Sequence, residues 1–313
     1  MNDHLNPAAK GLFLSVLSGS DRVVVLGASG WFGATTAALL DGTSVPTLFI
    51  ASRTKAIRVQ DLSYDCVTWD LSAMEDFHPS VVIDCAFLTR DLVGTMPFDE
   101  YIDTNRLLTR RMLDTVRIPS VRRAVTVSSG AAVYPQDALL GTLVENPYGL
   151  LKREAERALE ALANETGVSG VIARAWSVSG AYVQKPTSYA FSDFILQALA
   201  GHIDISAASK VYRRYAGVDD LLAVALATAT ESGTRVVDSG GELVEIQQLA
   251  EQVIATVNPS ATISRPALSD APPDLYYSSG KSWISSLESL EFSAYSLEDQ
   301  IRAARLGLGR TLV

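Results

Sequence analysis

The stretch "VVVLGASGWFGATTAALL", residues 23–40, constrains the chain more than any other. A β-branched run passes without a spacer into glycines at 27, 30 and 33, and then into an Ala- and Leu-rich helical segment. Glycine at these spacings serves a tight strand-to-helix turn, a close approach of backbone to a pyrophosphate, and close packing of helix on strand. The helix N-terminus adds backbone N–H donors and partial positive charge. Gly27, Gly30 and Gly33, with Ser29, Trp31 and Phe32 among them, are the candidate residues for a dinucleotide.

The rhythm that begins there continues. Apolar runs at 22–28, 47–52, 66–70, 80–87, 122–129, 170–175 and 234–240 alternate with helical stretches at about 31–41, 99–117, 147–165 and 218–231. Near-continuous apolar strands alternating with helices belong to a parallel sheet covered on both faces. The expected fold is α/β, a Rossmann-type doubly wound sheet. Residues 176–210 and 241–313 break the rhythm with Pro, Ser and aromatics, and are expected to form a smaller C-terminal α/β substrate lobe. The dinucleotide domain is then 21–175, with 211–240 returning to its sheet. Residues 1–20 are an extension whose "GLFLSVLSG" (11–19) reads as a short packed helix rather than a targeting segment.

Composition narrows the function classes. With 48% hydrophobic residues over 313 the chain can bury a sizeable core, and its formal charge of −9 argues against a nucleic-acid partner. No run approaches the ~18 apolar residues that a membrane span needs. Cys66 and Cys85 lie in apolar runs with no CxxC and no His nearby. Buried, reduced thiols, no metal site and a reducing, cytoplasmic compartment are expected.

The second apolar run ends "FIASRTKAIR", with Ser52 and Arg53 where an acid would bond a ribose 2′-hydroxyl. Arg53, supported by Lys55 and Arg58, suits a 2′-phosphate, so NADP is expected ahead of NAD. By topology, Asp70 and Leu71 in "TWDLS" flank the adenine, and Ala86 and Phe87 in "DCAFLT" end a strand near the cofactor's middle.

In "ENPYGLLKREAERALEALANETG", Asn146 caps a helix, Pro147 fits its first position and Gly167 marks its exit. Tyr148 and Lys152 are i and i+4 on one face. A free phenol, with pKa near ~10, is a poor base at neutral pH. An ammonium one turn away lowers that pKa and makes the tyrosine an acid/base for hydride transfer at a carbonyl.

Together "GASGWFG", "NPYGLLK" and "YRRYAGVDDLLAV" resemble the extended short-chain dehydrogenase/reductase family, the nucleotide-sugar epimerases, dehydratases and reductases, from about residue 21 to the C-terminus. The resemblance implies Tyr148 as acid/base, Lys152 as its partner and a cofactor contact, Asn105 in "YIDTNRLLTRRML" as a cofactor residue, and Tyr134 on the substrate side. It places Ser177 in "RAWSVSG" where an asparagine often touches the sugar nucleotide, and Arg213, beside Arg214, where an arginine grips the diphosphate. It also implies a homodimer formed as a four-helix bundle through the helices at 99–117 and 147–165.

Two departures matter. The family's Ser or Thr four residues before Tyr134 is Gly130 here, so the hydroxyl is expected from Ser129, or secondarily Ser128, by a one-residue slip or bulge. The Asp-Glu pair of the 4,6-dehydratases is replaced by Ala131 and Ala132, which removes dehydration. The first expectation is an NADP-dependent reductase of a 4-keto-6-deoxy sugar nucleotide, and the second a nucleotide-sugar 4-epimerase. A third, from another class, is a non-catalytic NADP-binding regulator.

Overall fold

The computed structural model describes residues 4–53, 55–59 and 62–311. The chain begins with α1 (Pro7–Ser15), β1 (Val23–Leu26), α2 (Trp31–Leu40), β2 (Thr47–Ile50), β3 (Ala56–Val59), β4 (Leu62–Val67), α3 (Leu71–Phe77), β5 (Val81–Asp84) and α4 (Phe98–Val116). Next come β6 (Arg123–Ser129), α5 (Pro147–Thr166), β7 (Ser169–Ala175), β8 (Ser177–Ser179), α6 (Ala190–Leu199), β9 (His202–Asp204) and β10 (Val211–Gly217). The remainder is α7 (Val218–Ala227), β11 (Gly233–Asp238), β12 (Leu243–Glu245), α8 (Ile246–Val257), β13 (Thr262–Ser264), β14 (Asp274–Leu275), α9 (Lys281–Ser289) and α10 (Leu297–Thr311).

The chain divides into two compact units, one of residues 12–175 and 222–237, the other of 1–11, 176–221 and 238–313. The first holds an eight-stranded sheet ordered β11-β7-β6-β5-β1-β2-β4-β3. Its β1 pairs in parallel with β2 on one side and β5 on the other, which puts the reversal of strand order between β1 and β5. Ligands of doubly wound folds bind at the carboxyl ends of strands at such a point. The strands are apolar because they are buried: β1 is buried at all four residues, and on one face Val24, Leu26 and Val82 share a core with Met112, Val116, Leu159 and Leu162.

The expected strand at 66–70 is instead β4 at Leu62–Val67, forming an antiparallel hairpin with β3. In β3 the basic segment alternates, with Ile57 and Val59 buried and Arg58 exposed, which is a strand's period of two. Asp70 leaves the strand because its Oδ1 accepts from Ala73 N at 3.2 Å and caps α3. The N-terminal helix begins earlier than expected, at Pro7, where Asn6 Oδ1 accepts from Ala8 N at 2.9 Å. Cys66 and Cys85 are free but only half-buried, not buried as expected.

Asp21 ties the lead-in of β1 to that of β6. It accepts from Ser80 Oγ (2.5 Å), Ser18 N (2.8 Å), Arg122 (2.9 Å) and Arg123 (3.0 Å). Burial works against its charge, yet the bonds from Ser80 and Ser18 and the Arg123 guanidinium hold the carboxyl down at about 2. Because the folded pKa lies below the ordinary 3.8, the stabilisation is complete above that value and disappears as pH falls toward 2. Asp21→Asn should lower the free energy of urea unfolding by about 2 kcal/mol at pH 7 and by much less at pH 2.

In the second unit β10 pairs antiparallel with β12 and in parallel with β14 and β8, while β9 and β13 form a separate pair. Residues 211–217 thus do not return to the large sheet as expected; β11 does. Residues 4–11 belong to this unit. Asn6 anchors them, donating N to Asp219 (2.7 Å) and Nδ2 to Asp220 (2.8 Å).

Candidate active site

The start of α5 is built as its residue types dictate. Asn146 Oδ1 accepts from Gly149 N (3.2 Å), Pro147 takes the first turn, and Gly167 closes the helix with φ 76°. Tyr148 and Lys152 stand one turn apart. Spacing alone does not single out Gly149, yet a Cβ there would lie 2.5 Å from Ala131 O. Its absence lets α5 approach the 3-10 turn Gly130–Ala132 that follows β6.

Lys152 is 6% exposed, donates from Nζ to Val127 O at 2.8 Å, and sits 3.8 Å from the Phe87 ring centroid. Burial draws its pKa down from 10.5 to about 8, against the charges of Asp84 and Glu156. The Phe87 ring meets Tyr148 edge-on, with centroids 5.9 Å apart and planes at 79°. One side chain in the loop after β5 therefore touches both members of the expected pair.

Phe87 also lines a cavity of about 210 Å³ with Gly27, Ser29, Gly30, Ser52 and Ala86, all expected to meet a cofactor. The three glycines differ in purpose. Gly27 has φ 73°, and a Cβ would lie 2.7 Å from the Ala86 backbone. At Gly33 a Cβ would lie 2.4 Å from Gly27 O, so this glycine seats α2 on the turn. Gly30 has nothing nearer than 3.4 Å and borders the cavity, so its open backbone at the N-terminus of α2 fits a dinucleotide phosphate.

Other expected cofactor residues do not line that cavity. Trp31 and Phe32 lie on the first turn of α2 with rings 6.2 Å apart, and Arg53 is exposed after β2. Asp70 is a helix cap, and Leu71 packs on the core. Asn105 is fully buried, with its Oδ1 taking Leu88 N (2.8 Å) and its Nδ2 giving to Tyr101 O (3.2 Å). It braces the loop that carries Phe87. In their place the cavity has Trp69, Leu108 and Arg111, with the Arg111 guanidinium 5.1 Å from the Trp69 ring centroid. The available signal was the i and i+3 spacing of Leu108 and Arg111 along α4, which makes them neighbours on its surface.

The strand bearing Ser128 and Ser129 stays in register to its end, with Ser128 opposite Arg174 and Ser129 opposite Ala175. No bulge forms, contrary to expectation. Ser128 donates to Glu156 Oε1 at 2.5 Å, and Glu156 is clasped by Arg174 through bonds of 2.9 and 2.8 Å. Ser129, 7% exposed, caps the next turn, its Oγ accepting from Ala131 N at 3.2 Å. Tyr134 follows as an exposed residue.

The profile of the NAD dependent epimerase/dehydratase family matches residues 23–238. The chain belongs to that family. It is accordingly an NAD(P)-dependent enzyme of the extended short-chain dehydrogenase/reductase type. No curated protein matches by sequence. Among solved structures, the fold is similar to UDP-glucose 4-epimerase from Thermotoga maritima with UDP-glucose, at 19% identity over 93% of this chain and 100% of that one, TM-score 0.71. It is similar to UDP-glucose 4-epimerase from Brucella ovis in complex with NAD, at 21% over 93% and 99%, TM-score 0.72. It is also similar to UDP-N-acetylglucosamine 4-epimerase from Methanobrevibacter ruminantium M1 in complex with UDP-N-acetylmuramic acid, at 17% over 93% and 99%, TM-score 0.72.

The second unit of this family member carries the remaining expected residues. Ser177 is half-buried on β8 opposite Tyr215. Arg213 pairs with Asp274 at 2.6 Å and lies 5.7 Å from the Tyr276 ring centroid, while Trp176 packs tilted against Tyr276, with centroids 5.1 Å apart and planes at 48°. Arg214 donates to Gly241 O at 2.8 Å and lies over Tyr277. Among the described residues no helix is long and apolar enough to cross a membrane.

Proposed function

We propose that the chain is a nucleotide-sugar 4-epimerase that works with NAD. The observation that carries this is Phe87, which joins the Tyr148 and Lys152 pair to the glycine-walled cavity. The fold's likeness to UDP-sugar 4-epimerases, one of them holding NAD, favours epimerisation over net reduction.

Bound NAD supplies reversible hydride storage, and Gly27, Gly30, Ser29 and Ala86 would hold it. Tyr148 takes the proton of the sugar's C4 hydroxyl and returns it to the same oxygen, so the reaction consumes and releases no net proton. Lys152 supplies the positive charge that makes the phenol a usable base, and Ser129, which ends β6 in register and accepts from Ala131 N, is proposed to turn its hydroxyl proton to the C4 oxygen without the slip that the sequence suggested. Arg213 is proposed for the diphosphate, exchanging the Asp274 carboxylate for phosphate oxygens. A homodimer through α4 and α5 completes the reading, supported by the exposed Leu107 on α4 and the Arg106–Glu154 pair joining the two helices.

The test is incubation with UDP-glucose, UDP-N-acetylglucosamine and UDP-glucuronic acid without added cofactor. Appearance of the C4 epimer of one of them, with NAD in the denatured extract, is the expected result; no epimer from any would defeat the proposal. Exposed Arg53 and the lack of an acid after β2 favour a second reading, an NADP-dependent 4-keto-6-deoxy sugar-nucleotide reductase. That reading predicts NADPH oxidation by such a ketone instead.

A further inference from the structure

Lys152 is bordered by polar groups that the chemistry above leaves unused. A cavity of about 10 Å³ is lined by Asp84, Thr126, Ser128, Lys152 and Glu156. That is close to the smallest space that admits one water, and its walls offer several hydrogen-bonding partners.

The two carboxylates on its wall are not equivalent. Glu156 is committed to Arg174 and Ser128, a bidentate ion pair and a hydroxyl. Asp84 is 7% exposed at the end of β5, and among the described residues its carboxylate receives neutral donors, Thr126 Oγ1 at 2.8 Å and Ala86 N at 3.1 Å. Lys152 Nζ donates to Val127 O rather than to Asp84. Both groups border the same cavity, one acid and one base in an environment that favours neither charge.

We propose that Asp84 is a positioning residue that exchanges a proton with Lys152 through one water in this cavity, and so sets the charge on the lysine that serves Tyr148. In the exchange the Asp84 O–H bond breaks, its proton passes to the water, and the water gives another proton to Nζ. The carboxylic acid and neutral amine become carboxylate and ammonium, and the water is regenerated. No oxidant or other reactant is involved. The inference rests on the reading of Tyr148 and Lys152 as the acid–base pair.

The electrostatics agree with the geometry. Burial pushes the Asp84 carboxyl up to about 6, opposed by the Thr126 hydrogen bond and the Lys152 charge, while burial brings Lys152 down to about 8. The two titrations thus bracket neutral pH. Of the other groups here, Cys85 just after β5 is held as the thiol by burial, Glu156 on α5 is balanced by Arg174 on β7, and β6 contributes the uncharged Thr126 and Ser128. The α4 side of the cavity contributes Thr109, which carries no charge.

Asp84→Asn keeps the shape and removes the charge, and the full chain as purified suffices for the test. Ionisation of Tyr148 is followed by ultraviolet difference absorbance against Tyr148→Phe, in wild type and in Asp84→Asn. Without the carboxylate Lys152 loses its proton at lower pH, so the phenolate forms without its cationic neighbour. The Tyr148 titration should move up by about one pH unit in Asp84→Asn and stay near wild type in Asp84→Glu, which restores the charge. An unmoved titration in Asp84→Asn overturns the proposal, as does an equal shift in Asp84→Glu. If Asp84→Asn does not fold, the small neutral Asp84→Ser is titrated in its place against the same criteria. With an epimerisable UDP-sugar, kcat at pH 7 should fall about tenfold in Asp84→Asn while KM holds. A wild type with no turnover defeats the epimerase reading, while the phenol titration still decides the role of Asp84.

Discussion

Tyr148→Phe should lower epimerisation of the accepted UDP-sugar about a thousandfold, the usual scale for removing a positioned acid/base. The substitution deletes one hydroxyl and retains the ring that packs edge-on against Phe87 at 5.9 Å. Binding of NAD, measured by calorimetry, should therefore stay within about twofold, because the glycine cradle and cavity are untouched. Lys152→Met should produce a loss of similar size, since the buried ammonium that supports the phenol is gone while the stem's apolar volume remains. Combining the two should cost little more than either alone, because groups that act as a unit are not additive. A double variant with multiplied losses would mean that the two residues work independently. An unaltered rate in Tyr148→Phe would move the proton transfer to another group.

The parts of this site that were legible in the sequence are those fixed by local geometry. Tyr148 and Lys152 are on one face because a helix repeats every 3.6 residues, and Asn146, Pro147 and Gly167 bound that helix by their own chemistry. The glycine triad was legible because the turn itself demands it. What was not legible depends on partners far away in sequence. Asp84 and Thr126 are 42 residues apart and meet because β5 and β6 pair in register. Asp274 reaches Arg213 across 61 residues, through pairing of β10 with β14. Ser128 and Ser129 differ by one residue, so alternation of the strand decides that Ser128 faces Glu156, and only the unbroken register with β7 shows that no slip occurs. Asp70 illustrates a competition within the sequence itself. The same carboxylate suits an adenine contact or a helix cap, and the short helix α3 uses it as a cap.

Gly30→Val and Gly33→Val should separate binding from folding. At Gly33 the nearest atoms to an added Cβ are Gly27 O at 2.4 Å and Ala28 Cα at 2.5 Å, both backbone, so α2 must move off the turn. Overpacking of this kind costs about 1–3 kcal/mol, and more where backbone cannot yield, so Gly33→Val should unfold at markedly lower urea. Gly30 has φ −81° and ψ 173°, a conformation any residue adopts, and its nearest neighbour is 3.4 Å away. Its side chain would grow from the cavity wall, where the cofactor's phosphates must approach the backbone. Gly30→Val should therefore keep the wild-type urea midpoint and lose NAD affinity by about a hundredfold, equivalent to roughly 2.7 kcal/mol. Equal loss of stability in both variants would show that Gly30 also serves packing, and retained affinity in Gly30→Val would place the pyrophosphate elsewhere.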